Sequence, residues 1–151
     1  MTDEKKYEAL KLENQLCFPM YAAARQIVRQ YTPYLKKLNL TYTQYLVLMV
    51  LWEKQTITVS ELGACLYLDS GTLTPLLKKM EAHGLVRRAR DQKDERVVHV
   101  TISQEGMNLR EKCLEIPAHV GSCVKLKKDQ AKVLYDGLYA FLSGVKGEDH
   151  E

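Results

Sequence analysis

The chain has 151 residues, of which 46% are apolar and 27% charged, with eight glycines and four prolines. That length supports one well-buried domain and excludes a multidomain machine, and the apolar content excludes a disordered chain. Lysine and arginine number 22 against 19 aspartates and glutamates, and a net charge of +3 is by itself too small to announce a nucleic-acid partner.

No stretch reaches the roughly 18 uncharged apolar residues of a membrane span, and Met1 to Lys6 is polar and mixed in charge, so no membrane partner and a cytoplasmic location are expected. The four cysteines, Cys17, Cys65, Cys113 and Cys123, contain no C-x-x-C pair and are too few for a disulfide scaffold. They are expected to be free thiols in a reducing compartment.

The first long element runs from about Lys11 to Lys37, where Leu12, Leu16, Met20, Ala23, Ile27 and Tyr31 recur at helical steps. Pro19 and Pro33 interrupt this pattern, which predicts a helix starting near Cys17 or a kinked one, with a bend near Thr32. Thr41 and Gln44 form a capping box that opens Tyr45 to Trp52, a run apolar on every face and therefore a buried core helix. A second capping box, Thr58 with Glu61, opens a short helix with Val59, Leu62 and Leu66 inward. Asp69-Ser70-Gly71 supplies another N-terminal cap, after which Leu73, Leu76, Leu77 and Met80 form a stripe that ends at Gly84. Pro75 sits deep enough to delay or bend that helix.

Beyond Gly84 the period becomes two. Residues 85–90, a polar turn at 91–94 and residues 96–102 read as a single β-hairpin. Ser103 caps a helix carrying Leu109, Cys113 and Ile116 up to Pro117, and a last helix from about Lys128 aligns Leu134, Leu138 and Phe141. The expected fold is mainly α with a β-hairpin wing (α+β), a single domain over 1–151.

Two short helices followed directly by a basic hairpin form the winged helix-turn-helix arrangement, whose second helix enters the major groove of DNA. Outward positions of that helix carry Ser70, Thr72, Thr74, Lys78 and Lys79, groups able to reach base edges or phosphates. The hairpin adds Arg87, Arg88, Arg90, Lys93 and Arg96. Between Lys78 and Arg96 seven cations face four carboxylates, so this segment holds the whole net charge. Isolated surface cations often do no more than solvate a helix face or protect a strand edge. The consecutive order of helix pair, caps and basic hairpin favours DNA binding.

The segment Asp94-Glu95-Arg96-Val97-Val98-His99-Val100-Thr101 resembles the wing signature of MarR-type transcriptional regulators. Residues 12–18 (LENQLCF) and 66–77 (LYLDSGTLTPLL) resemble the organic hydroperoxide resistance regulators within that family. The likeness runs from about Leu10 to Ile116. It implies a homodimeric repressor whose N- and C-terminal helices, 1–40 and 103–151, form the dimer, while 41–102 is the DNA-binding part that reads a palindromic operator in double-stranded DNA. It assigns Cys17 as the sensor of organic hydroperoxides, Tyr31 and Tyr42 as hydrogen-bond donors to its sulfur, and Arg96 as a minor-groove arginine; Asp69 falls within the matching DNA-binding stretch. It also implies two ways of resolving oxidised Cys17, by a low-molecular-weight thiol or by a C-terminal cysteine of the partner subunit, for which Cys123 stands at an approximate position.

Without that likeness, a cysteine between Leu16 and Phe18 reads as core filling, although a helix start and phenolic donors would favour its thiolate. Cys65 and Cys113 read as structural. Nine tyrosines against two phenylalanines suggest that Tyr21, Tyr34, Tyr45 and Tyr67 serve as core or pocket-lining groups. His83, His99, His119 and His150 are scattered, no metal-ligand spacing or nucleotide-binding motif occurs, and no cofactor is expected. The remaining alternatives are a MarR-type repressor released by an aromatic ligand, a thiol peroxidase consuming Cys17, and an architectural DNA-binding protein without a switch; a regulator, not an enzyme, is the favoured reading.

Overall fold

The computed structural model describes residues 3–145; His150 and the ends of the expected terminal parts lie outside them. The described residues fall into two compact units, within Met1–Val120 and Gly121–Glu151. No helix among them is long and apolar enough to cross a membrane.

The first unit begins with two 3-10 segments, Asp3–Leu10 and Leu12–Asn14, followed by α1 (Cys17–Lys36). Pro19 falls in the first turn of α1, where a missing N–H breaks no helical bond. Pro33 lies in the last turn, and the helix continues through Thr32 to Lys36 in place of the expected bend. A proline so near the end removes only one bond, and the Thr32 hydroxyl donates to the Val28 carbonyl at 2.9 Å beside it.

Helix α2 (Tyr42–Lys54) carries the complete capping box: the Gln44 N–H donates to Thr41 Oγ1 at 3.2 Å, and the Thr41 N–H donates to Gln44 Oε1 at 3.0 Å. Its Tyr45, Val47, Leu48 and Leu51 are buried at the centre of the unit. Burial is not complete around the helix as its composition suggested, since Met49 is 45% exposed.

A short strand β1 (Thr56–Thr58) leads into α3 (Val59–Leu66), whose capping box joins Thr58 and Glu61 in both directions. Helix α4 (Ser70–Ala82) starts at once behind Asp69, whose Oδ1 accepts the Thr72 N–H at 2.6 Å. It neither starts late nor stops at Pro75. Pro75 deprives the Gly71 carbonyl of its helical donor, and both residues are exposed, where a free carbonyl costs little. At its far end the Leu85 N–H donates to Met80 and the Gly84 N–H to Glu81, a Schellman closure that requires the left-handed backbone (φ 74°) Gly84 adopts.

Strands β2 (Val86–Arg90) and β3 (Val98–Ile102) form the expected hairpin, with Arg88 opposite Val100 and Arg90 opposite Val98. Arg96 and Val97 belong to the loop and not to β3. The sheet also has a third strand that the alternation pattern missed: β1 pairs with β3, giving the antiparallel order β1-β3-β2. Three residues are too few to show a period of two. Helix α5 (Gln104–Cys113), capped by Ser103, stops before Ile116, which instead opens α6 (Ile116–Cys123) with Pro117 in its first turn. Leu35, Leu48, Leu51, Leu62, Leu73, Leu77, Met80 and Val100 form one continuous core.

In the second unit, α7 (Lys128–Val145) begins where expected. It has no buried residue, and Leu134, Tyr135, Leu138, Tyr139 and Phe141 are all exposed.

Candidate nucleic-acid interface and reactive cysteine

Helices α3 and α4 pack as a helix-turn-helix pair. A Cβ at Gly63 would lie 2.5 Å from the Leu68 carbonyl oxygen, so only glycine lets α3 sit against the turn between them. Tyr67, in the left-handed conformation (φ 55°), makes the sharp exit from α3. Leu73, Leu77 and Met80 anchor α4 inward, which leaves Ser70, Thr72, Lys78 and Lys79 exposed and Thr74 half-buried. Lys78, Lys79 and Arg87 hold no ion pair among the described residues and remain available to phosphates. Asp69 uses its carboxylate to cap α4, so the structure gives it the task of holding the helix start in place.

The wing is tied together at its base by Asp91. Its Oδ1 accepts the N–H groups of Lys93 at 2.8 Å and Asp94 at 3.1 Å, while Oδ2 meets His99 Nε2 on β3 at 3.0 Å. These bonds, with that from His99 foremost, hold the Asp91 carboxyl below its ordinary range. At the tip, Arg96 is bidentate on Asp94, with Nε at 3.0 Å and Nη2 at 3.1 Å, and its side chain is 91% exposed. Arg90 donates from Nη1 to the Glu95 carbonyl at 2.8 Å. The Asp94 carboxyl is lowered chiefly by its hydrogen bond from Arg96. Arg88 points back to Glu81 on α4. Sequence reasoning missed Glu81 and the Asp91–His99 contact; the hairpin register was the available signal for the second.

Cys17 is the first residue of α1 and is exposed. The residue before it, Leu16, places no side chain on the helix start, so the first N–H groups retain their partial positive charge beside the sulfur. Tyr31 and Tyr42 pack together with ring centroids 4.9 Å apart, and buried Tyr45 lies 5.6 Å from Tyr31. Burial, then Tyr31, pushes the Tyr42 phenol up, and Tyr45 is pushed up to about 12, so both keep their protons as donors. These tyrosines are not beside Cys17 in the same chain. Fourteen helical steps lead from Cys17 to Tyr31, which at about 1.5 Å each is about 21 Å.

The other cysteines divide. Cys113 is buried and its thiol is pushed up by burial, as a structural role requires. Cys65 lies within α3, as the sequence placed it, and its side chain is exposed. It follows the inward positions of Leu62 and Gly63 and faces out. Cys123 ends α6 and is exposed. Tyr21 and Tyr67 are likewise exposed where core or pocket positions were expected. Among the described residues no group of three or more histidine, cysteine or acidic side chains could hold a metal ion.

Residues 29–113 match the family described as transcriptional regulator SarA/Rot. The chain is 48% identical over 139 residues to the organic hydroperoxide resistance transcriptional regulator of Bacillus subtilis (strain 168), covering 92% of this chain and 95% of that protein. It is similar in structure to reduced AbfR bound to DNA, a protein from Staphylococcus epidermidis, with a TM-score of 0.76 and 38% identity over 93% of this chain and 98% of that one. The disulfide form of AbfR matches with a TM-score of 0.65 and 34% identity, over 95% of this chain and 98% of that one. These relatives are regulators, in agreement with the reading of a non-enzyme. The helix-turn-helix pair, the basic three-stranded wing and this identity across nearly the full length agree: the chain belongs to the MarR-type transcriptional regulators, in the branch of the organic hydroperoxide resistance regulators.

Proposed function

We propose that the protein is a homodimeric repressor that binds a palindromic operator when reduced and is released when an organic hydroperoxide oxidises Cys17. The observation that carries this reading is an exposed cysteine at the uncapped start of α1 in a chain so similar to a hydroperoxide-resistance regulator. The apolar stripe of α7 and the exposed Leu10, Leu12, Leu16 and Phe18 support a second copy of the chain as their cover. The 21 Å between Cys17 and Tyr31 supports it too: phenols that donate to the sulfur belong to the partner subunit.

The Cys17 thiolate attacks the outer oxygen of the hydroperoxide. The O–O bond breaks, the sulfur loses two electrons to become a sulfenic acid, and the alkoxide leaves as the alcohol after taking a proton. A second thiol then condenses with the sulfenic acid, forming an S–S bond and releasing water. That thiol is Cys123 of the partner subunit or a small external thiol. Because two wings satisfy two half-sites about 34 Å apart only at one separation, a rearranged dimer loses phosphate and base contacts together. Ser70, Thr72, Thr74, Lys78 and Lys79 supply groove and phosphate contacts, Arg87 adds phosphate contact, Arg96 enters the minor groove, and Asp69 and Arg88 hold these groups in place.

A duplex selected by the reduced protein from a randomised pool serves as the probe. Cumene hydroperoxide is expected to lower its affinity for the wild type and leave Cys17→Ser unaffected. Equal release of both proteins overturns the sensing role. The intact mass of the oxidised dimer, with and without Cys123→Ser, distinguishes the two resolving thiols.

A further inference from the structure

Trp52, the chain's single tryptophan, lies near the end of α2, and its indole N–H donates to the Gly106 carbonyl in the first turn of α5 at 2.8 Å. That carbonyl is inside α5, where the helical ladder already supplies a donor. The bond therefore does not rescue an orphaned acceptor; it indexes α5 against α2. Gly106 allows no slack on its other side. A Cβ there would lie 2.5 Å from the Leu85 carbonyl oxygen and 2.7 Å from Ile102 Cγ1.

Leu85 is the residue that closes α4. Its carbonyl accepts the Ser103 N–H at 3.0 Å, while Ser103 Oγ donates to the Gly84 carbonyl at 2.5 Å and accepts the Gly106 N–H at 3.1 Å. The end of the recognition helix, the start of α5 and the end of α2 thus meet in one knot. From the opposite direction, Trp52 packs edge-on against Tyr45 at 6.1 Å, and Tyr45 is 2% exposed and in contact with the Tyr31–Tyr42 pair.

We propose that Trp52 is a positioning residue for DNA binding, through which the packing of Tyr31 and Tyr42 sets the seat of the recognition helix on α5. Close-packed rings have no free volume in which to absorb a shift, so a displaced Tyr31 or Tyr42 moves Tyr45 and then Trp52. The directional indole bond passes that movement to Gly106, and the contact between Gly106 and Leu85 passes it to the end of α4. The oxidative half of this inference rests on the proposed function; the seating of the recognition helix does not.

Trp52→Phe keeps an aromatic ring and removes the donor. Reduced Trp52→Phe is expected to bind the selected duplex about tenfold more weakly than the wild type at a temperature where thermal unfolding shows both proteins fully folded. With Cys17 oxidation verified by intact mass, cumene hydroperoxide is expected to lower wild-type affinity about a hundredfold and that of Trp52→Phe by about tenfold or less. Equal reduced affinities overturn the seating role, and equal oxidative losses overturn the relay from the tyrosines. Wild type that holds the duplex with Cys17 oxidised overturns the redox reading instead, and the reduced proteins alone then decide the seating. Should Trp52→Phe fail to fold, the wild-type tryptophan is the probe: its emission is expected to change on duplex binding, and unchanged emission overturns the proposal.

Discussion

Glu81 and Arg88 are joined by three bonds: the carboxylate near the end of α4 accepts the Arg88 backbone N–H at 2.8 Å, Nε at 3.1 Å and Nη2 at 3.0 Å. The first of these is the main reason the Glu81 carboxyl lies below its ordinary range. The pair clamps the recognition helix to β2 and commits the Arg88 guanidinium to the protein. Arg87, one residue earlier, points to solvent.

The two neighbouring arginines are therefore expected to behave differently on substitution. Arg87→Ala should flatten the dependence of log affinity on log salt by about one, the signature of one lost phosphate contact. Arg88→Ala should leave that slope nearly unchanged and lower the thermal midpoint. Binding titrations across a potassium chloride series, with thermal unfolding in parallel, separate the two.

Acid should loosen the wing before the core. Asp91 has a folded pKa depressed by its bonds to His99, Lys93 and Asp94. A depressed carboxyl contributes stability above its unfolded pKa, about 3.9, and that contribution is lost as pH falls through the folded value. Amide protection factors at residues 91–99, taken against the intrinsic exchange rate at each pH, are expected to fall at acid pH in the wild type. Asp91→Asn should show low protection there already at neutral pH, with a smaller further fall in acid.

Gly63→Ala tests the helix-turn-helix geometry. The added methyl collides with the Leu68 backbone, which no side-chain rotation relieves. The cost is expected to be about 1–3 kcal/mol of stability by denaturant titration, with duplex affinity lost while the oligomeric state is kept.

Cysteine labelling tests the placement of Cys65 and Cys113. Iodoacetamide added to the reduced protein should modify exposed Cys65 and spare buried Cys113, whose thiol also holds its proton more tightly. Peptide mass mapping reads the order, and early modification of Cys113 would contradict its burial.

Leu77→Ala, at a fully buried position on the inner face of α4, is expected to cost about 2–5 kcal/mol. Urea unfolding measures it.

Much of the fold was legible because the signals were local. The capping boxes at Thr41–Gln44 and Thr58–Glu61 need only residues three apart, and both form as the pattern implied. The prolines were harder to read, since Pro33 and Pro75 are tolerated for reasons that depend on nearness to a helix end and on solvent access. Strand β1 was invisible because three residues carry no period, and its partner β3 lies more than forty residues away.

The sequence by itself determined the helix pair and the hairpin that follows it, the inward stripe of α4, and the basic hairpin and the hydroxyls and amines beside it, because periodicity, caps and charge are written between near neighbours. Only the tertiary structure decided which cations are available. It committed Arg88 to Glu81, left Arg87 and the exposed Arg96, bidentate on Asp94, at the surface, joined Asp91 to His99, and separated Cys17 from Tyr31 along one helix. It also brought Trp52 to Gly106 across 54 residues. Such contacts arise from the packing of whole elements, where a single rigid helix or strand register sets which distant side chains meet.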